Sequence, residues 1–205
     1  MFRILASAAF AAALVVSSAL AQKGETVNVK GKIASVDGST IVVDQAKGAG
    51  QAKVVMMEKA AVLTIGPGTV KDLTPNAFIG VGAIPQADGS QKAIRVMIFA
   101  ETQRGTNEGH YPWKGAPAGT PQGSTMTNAT VDTTVSGVDG QVLTVKYKGG
   151  TQKIIIGPDT QIFLRTVGSV ADLKPGVNVA ISAAKAADGS LSTMRVDVGR
   201  GNFVP

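Results

Sequence analysis

The sequence predicts an all-β protein built as two tandem small OB-like β-barrel domains, each of five or six strands with one short helical turn; a two-sheet β-sandwich is the alternative. Three observations lead there. Residues 53–99 laid on 153–199 without a gap give 13 identities in 47 positions, so one unit is present twice. Apolar and polar residues alternate with a period of two over short stretches. Asp-Gly pairs separate those stretches, as tight hairpins require.

The chain of 205 residues opens with a leader pattern. Met1-Phe2-Arg3 is a short positive start, Ile4 to Val16 is apolar but for Ser7, and Ala19-Leu20-Ala21 places small residues before a cut. A cleaved signal peptide over residues 1–21 is expected, and with it an exported, periplasmic or secreted protein. The apolar run is too short to span hydrocarbon and no later stretch is longer, so the remainder is expected not to be membrane-spanning.

The first repeat is expected over residues 22–99. Val27, Val29 and Ile33 alternate with Asn28, Lys30 and Lys32, the signature of a half-buried strand. Asp37-Gly38 turns the chain into a strand from Thr40 to Asp44. Strands over Lys53–Glu58 and Ala61–Ile65 follow. Val70-Lys71-Asp72-Leu73-Thr74-Pro75 reads as one helical turn stopped by proline, with Leu73 plugging the barrel. Phe78 to Ile84 leads through Ala87-Asp88-Gly89-Ser90 into a last strand, where Ile94, Val96 and Ile98 share the apolar face and Arg95 points away.

Residues 100–128 hold five Gly and three Pro and read as an interdomain linker. The second repeat is expected over residues 129–205. It restates the pattern with Val138-Asp139-Gly140, strands over Val142–Tyr147, Lys153–Ile156 and Thr160–Leu164, the turn Val170-Ala171-Asp172-Leu173-Lys174-Pro175, and Val177–Ala183. Ala187-Asp188-Gly189-Ser190 then leads to a final strand bearing Met194, Val196 and Val198 on the same face, with Arg195 opposite.

These motifs carry a resemblance. Val29-Lys30-Gly31-Lys32-Ile33, Val36-Asp37-Gly38-Ser39-Thr40, Asp172-Leu173-Lys174-Pro175-Gly176 and Ala87-Asp88-Gly89-Ser90 are similar to the repeat of an exported bacterial family of unknown function. The first copy departs from it with Asn76 where that family often has Gly; Asn also tolerates left-handed backbone. The resemblance implies export and a duplicated barrel, and brings no activity.

Composition narrows the chemistry. The chain has no Cys, which excludes disulfides, a thiol nucleophile and zinc-thiolate sites. Loss of Arg3 with the leader leaves 19 basic against 14 acidic residues, spread over both copies at Lys30, Lys32, Lys47, Lys53, Lys146, Lys148, Lys153 and Lys174. Nucleic acid is not expected, because single-strand binding needs stacking aromatics as well as charge, and Tyr147, Phe78, Phe99 and Phe163 are the few candidates. Met56, Met57, Met97, Met126 and Met194 are expected to pack in the core; adjacent Met56 and Met57 face opposite sides of a strand and cannot grip one ion.

The only His, the only Trp and one of two Tyr stand together in His110-Tyr111-Pro112-Trp113. This cluster is expected to be an aromatic clasp that packs on one or both barrels and fixes their angle. The alternative is a ligand contact made by Arg104, Glu108, His110, Tyr111 and Trp113. His110 with Glu108 falls short of the three or four ligands a metal needs, so neither metal nor cofactor is expected. Catalysis finds no nucleophile context; Asp37, Asp88, Asp139 and Asp188 are turn residues, and Asp72 and Asp172 cap helical turns. The sequence therefore points to a non-enzymatic binding or scaffolding protein of the cell envelope, with an envelope protein or polysaccharide as partner. A periplasmic small-ligand or metal-ion binder using the 104–113 loop is the alternative.

Overall fold

The computed structural model describes residues 25–137 and 140–205. The leader and the Val138-Asp139 pair lie outside the described residues. The chain is all-β. The first repeat supplies β1 (Glu25–Asp37), β2 (Thr40–Gln45), β3 (Gln51–Pro67), β4 (Phe78–Pro85) and β5 (Gln91–Ile98). The linker adds β6 (Gly109–Pro112). The second repeat supplies β7 (Thr125–Gly137), β8 (Gly140–Tyr147), β9 (Gly150–Ile156), β10 (Gln161–Val167), β11 (Asn178–Lys185) and β12 (Leu191–Gly199). No helix among the described residues is long and apolar enough to cross a membrane.

Turn chemistry sets the hairpins. Gly38 and Gly89 take positive φ, and the Asp88 carboxylate accepts hydrogen bonds from the Ser90 amide and hydroxyl. Asp188 caps Ser190 in the same way. At the short 3-10 turns Val70–Asp72 and Val170–Asp172, the carboxylate accepts the amide of Thr69 or Ser169. Asn76 has φ +67, the left-handed geometry expected of it.

The strand pairing does not give each repeat a barrel of its own. One closed circuit runs β1-β2-β3-β12-β11 and back to β1, so three strands come from the first repeat and two from the second. The other runs β4-β7-β8-β9-β5 and back to β4, with the shares reversed. Each encloses a separate core. Val29, Ile33, Ile41, Val43, Ile181 and Val196 fill the first, and Ile79, Val81, Val96, Leu143, Val145 and Ile154 fill the second. The plugs are exchanged with the strands: Leu73 is buried among strands of the second circuit and Leu173 among those of the first.

The circuits join where β3 pairs antiparallel with β10. Leu63 faces Val167, Ile65 faces Arg165 and Pro67 faces Phe163. Because residues one hundred apart correspond, this ladder maps onto itself under a local two-fold axis at the Ile65–Arg165 pair. The flanking ladders repeat accordingly: Ala61 faces Arg195 in β3–β12, and Gln161 faces Arg95 in β10–β5. Near the axis the Thr64 and Thr166 hydroxyls share a hydrogen bond of 2.7 Å.

Two expectations about faces need correction. Ile94 and Met194 do not share the apolar face of their strands. In β4–β5, Gly82 faces Arg95 while Ala83 faces Ala93, so Ile94 is the extra residue of a bulge and turns outward. A similar irregularity in β11–β12 leaves Met194 55% exposed, and Ala93 and Thr193 take the inward places. Nor do the five methionines share one core role: all lie in strands, Met56 packs partly buried against the first core, and Met57 and Met194 are 52% and 55% exposed.

A polar cleft under the linker

The linker folds back onto the second circuit instead of bridging two units. β6 adds to the outer edge of β7, with His110 opposite Thr127 and Tyr111 opposite Met126. The surface that receives it is prepared in β4. Ile79, Val81 and Ala83 point into the core, so Gly80 and Gly82 present bare backbone outward. A Cβ at Gly82 would stand 2.1 Å from the Trp113 ring, and one at Gly80 would stand 2.9 Å from the Phe99 ring. The corresponding second-repeat residues, Ala180 and Ser182, carry side chains and face Lys30 and Asn28 of β1.

Three of the five expected ligand residues are engaged in this folding. The Trp113 ring lies on Gly82 and its amide donates to Ser124 O at 2.9 Å. The Tyr111 hydroxyl donates to Asn107 O at 3.2 Å and accepts from Asn128 at 3.1 Å; burial pushes its pKa up, an effect the Asn128 bond opposes. Arg104 pairs with Glu101 and donates to Asn76 O at 2.8 Å and Thr130 Oγ1 at 3.3 Å. The hydrogen bond between the two side chains raises the Arg104 pKa and lowers that of Glu101. The aromatic segment is thus a clasp on one barrel, and the angle between the circuits belongs to the β3–β10 ladder.

Of the other two residues, Glu108 stands at an open cleft of about 450 Å³. Glu108 lines it and accepts the Lys148 backbone amide at 3.0 Å. His110 does not line it: its Nδ1 shares a 2.8 Å hydrogen bond with Thr127 Oγ1, and its ring is 6.3 Å from that of Tyr147. The remaining lining comes from Asn76, Thr130, Val131, Asp132, Lys146, Tyr147 and Lys148. Lys146 pairs with Asp132 at 2.8 Å. Sequence reasoning missed these residues because they lie on β7, β8 and the turn before β4. The one available signal was the Lys146-Tyr147-Lys148 run, an aromatic between two cations at a strand end.

A second polar cluster lies near the local axis. Arg165 and Asp197, each with an 11% exposed side chain, are 3.3 Å apart, and the guanidinium carbon is 5.8 Å from the Phe99 ring centre. Burial depresses the Arg165 pKa, and Asp197 acts against that. Among the described residues no three His, Asp or Glu side chains gather as a metal would require.

Residues 133–197 match the family DUF5666, described as a domain of unknown function. The matched stretch runs from within β7 to within β12, inside the second repeat, and its strands are shared between the two circuits. No curated protein and no solved structure matches the chain.

Proposed function

We propose that this is a non-enzymatic binding protein of the cell envelope, exported by its leader and built from two OB-like barrels, and that the Glu108–Tyr147 cleft contacts a sugar unit of an envelope polysaccharide. The cleft itself carries the reading. Tyr147 lines the cleft with an amphipathic ring that also packs against the second core, Glu108 and Asp132 offer acceptors, and Lys146, Lys148 and Asn76 offer donors. A polyhydroxylated ring needs that mixture, with donors and acceptors close to an apolar face. The walls are held before any ligand arrives, since Glu108 is tied to the β8 end and Arg104 to Thr130 and Asn76. Preorganisation of this kind reduces the entropic cost of binding.

The test is a titration with oligosaccharide fragments of envelope polysaccharides, followed by amide NMR. Shifts confined to Asn76, Glu108 and Lys146–Lys148 are expected, with Lys148→Ala, a change at an exposed side chain, weakening binding severalfold at an unchanged melting temperature. Shifts elsewhere, their absence across the fragments, or turnover of a fragment would refute the proposal.

A further inference from the structure

The local two-fold axis relates two outward-facing sites that have diverged into opposite shapes. On the first circuit β3 runs unbroken past Met56, which faces Thr193 of β12. The next residues along, Met57 and Met194, both project, with Val55 beside them; the three are 52%, 55% and 40% exposed. Lys59 has φ +63, marking the swelling of β3 at this point, and the β3–β12 register breaks there. The result is an apolar knob. On the second circuit the corresponding strand stops: β9 ends at Ile156, and Gly157-Pro158-Asp159 turns the chain aside before β10. The corresponding place is a hollow of about 560 Å³ lined by Ile94 and Ile155, with Lys92 and Asp159 in its wall. Its shape is fixed, because Thr160 Oγ1 accepts the Gly157 amide and donates to Ala93 O, both at 3.0 Å.

The correspondence is by residue: Val55 with Ile155, Met57 with Gly157, and Met194 with Ile94. Charge fits as well. Glu58 and Lys59 are exposed on the knob, Lys92 and Asp159 are exposed at the hollow, and none of the four is engaged in an ion pair among the described residues. Glu58 has Lys92 as its complement, and Lys59 has Asp159. Knob and hollow sit on different strand circuits.

We propose that the hollow receives the knob of a second copy of this chain, so that the protein associates head to tail. Met57 and Met194 enter between Ile94 and Ile155, and the Glu58–Lys92 and Lys59–Asp159 pairs close the rim. Flexible methionines suit such a fit because they adapt to an irregular cavity. The contact is heterologous, so every pair or chain retains one free knob at one end and one free hollow at the other, and the association continues into short chains. A patch this small gives a weak, reversible contact. The inference is independent of the sugar reading of the Tyr147 cleft.

Sedimentation of the purified protein from micromolar to millimolar concentration tests it. The weight-average mass is expected to rise with concentration, and Met57→Glu or Ile94→Glu alone to abolish the rise. Mixing those two variants is decisive: one keeps an intact hollow and the other an intact knob, so the mixture should stop at a one-to-one pair. Glu58→Lys should weaken association, and Lys92→Glu in the same chain should restore it, which also shows that the surface changes leave the fold intact. A protein that stays monomeric throughout, a mixture that gives no pair, or association indifferent to Ile94→Glu would overturn the proposal.

Discussion

Ile65 and Arg165 hold the same place in the two repeats and face each other across the β3–β10 ladder. A position that meets its own counterpart lies on a symmetry axis, and here that axis is internal to one chain. The two barrels are joined by continuous hydrogen-bonded sheet, and each depends on strands from both repeats. The unequal pair at the axis also creates a largely buried ion pair, since Arg165 meets Asp197 where Ile65 needs no charged partner.

Asp197→Ala should therefore destabilise the protein by about 2–4 kcal/mol, because it strands a largely buried guanidinium. The double variant Arg165→Met with Asp197→Leu should recover most of that loss. Denaturant unfolding of the two variants checks this; a double variant no more stable than Asp197→Ala would show that the ion pair itself is required.

Trp113 and Gly82 act as ring and seat. Gly82→Ala places a methyl group inside the indole and should cost about 1–3 kcal/mol. Trp113→Ala should cost a similar amount and open residues 114–123 to protease, while the scattering profile stays that of a rigid two-barrel particle. A loosened angle between the barrels would return the clasp to an interdomain role.

Acid should act first on the turns. Hydrogen bonds from Thr69 to Asp72, from Ser90 to Asp88, from Ser190 to Asp188 and from Arg104 to Glu101 hold these carboxyls below their ordinary pKa values. A depressed folded-state pKa stabilises the protein above the unfolded value, and that contribution is lost as pH falls through the folded one. The melting temperature should thus decline once pH drops below about 4, the range of unfolded carboxylates. Asp88→Asn with Asp188→Asn should flatten the decline, and an unaltered slope would exclude these turns as its source.

Much of this was written locally in the chain. Period-two stretches, Asp-Gly turns and the Val-x-Asp-Leu-x-Pro plugs gave the strands, hairpins and Leu73 and Leu173 as core, because each depends on backbone preferences within a few residues. The exchange of strands was not legible. β4–β5 and β11–β12 carry the same inward pattern, so either pair satisfies either set of three strands, and the choice rests on the continuity of β3 past the place where Gly157-Pro158 breaks its counterpart. Ile94 and Met194 leave the apolar face because a bulge inverts faces without a residue type that announces it. The cleft was partly legible: Glu108 belongs to a conspicuous loop, while Asn76 and Lys146–Lys148 reach it only through the pairing of distant strands.

The exchange itself is open to direct measurement in a chain without native cysteine. Asn28 on β1 and Ser182 on β11 are exposed partners in an antiparallel ladder, at the roughly 4.5–5.5 Å Cα spacing that a disulfide spans. With Asn28→Cys and Ser182→Cys together, mild oxidation should close a disulfide within one chain, run as a compact monomer on a non-reducing gel, and raise stability by up to about 5 kcal/mol. If each repeat closed its own barrel, Asn28 would face Gly82 instead. In that case the two thiols would stay reduced or link only between chains, and that result would contradict the shared-barrel fold.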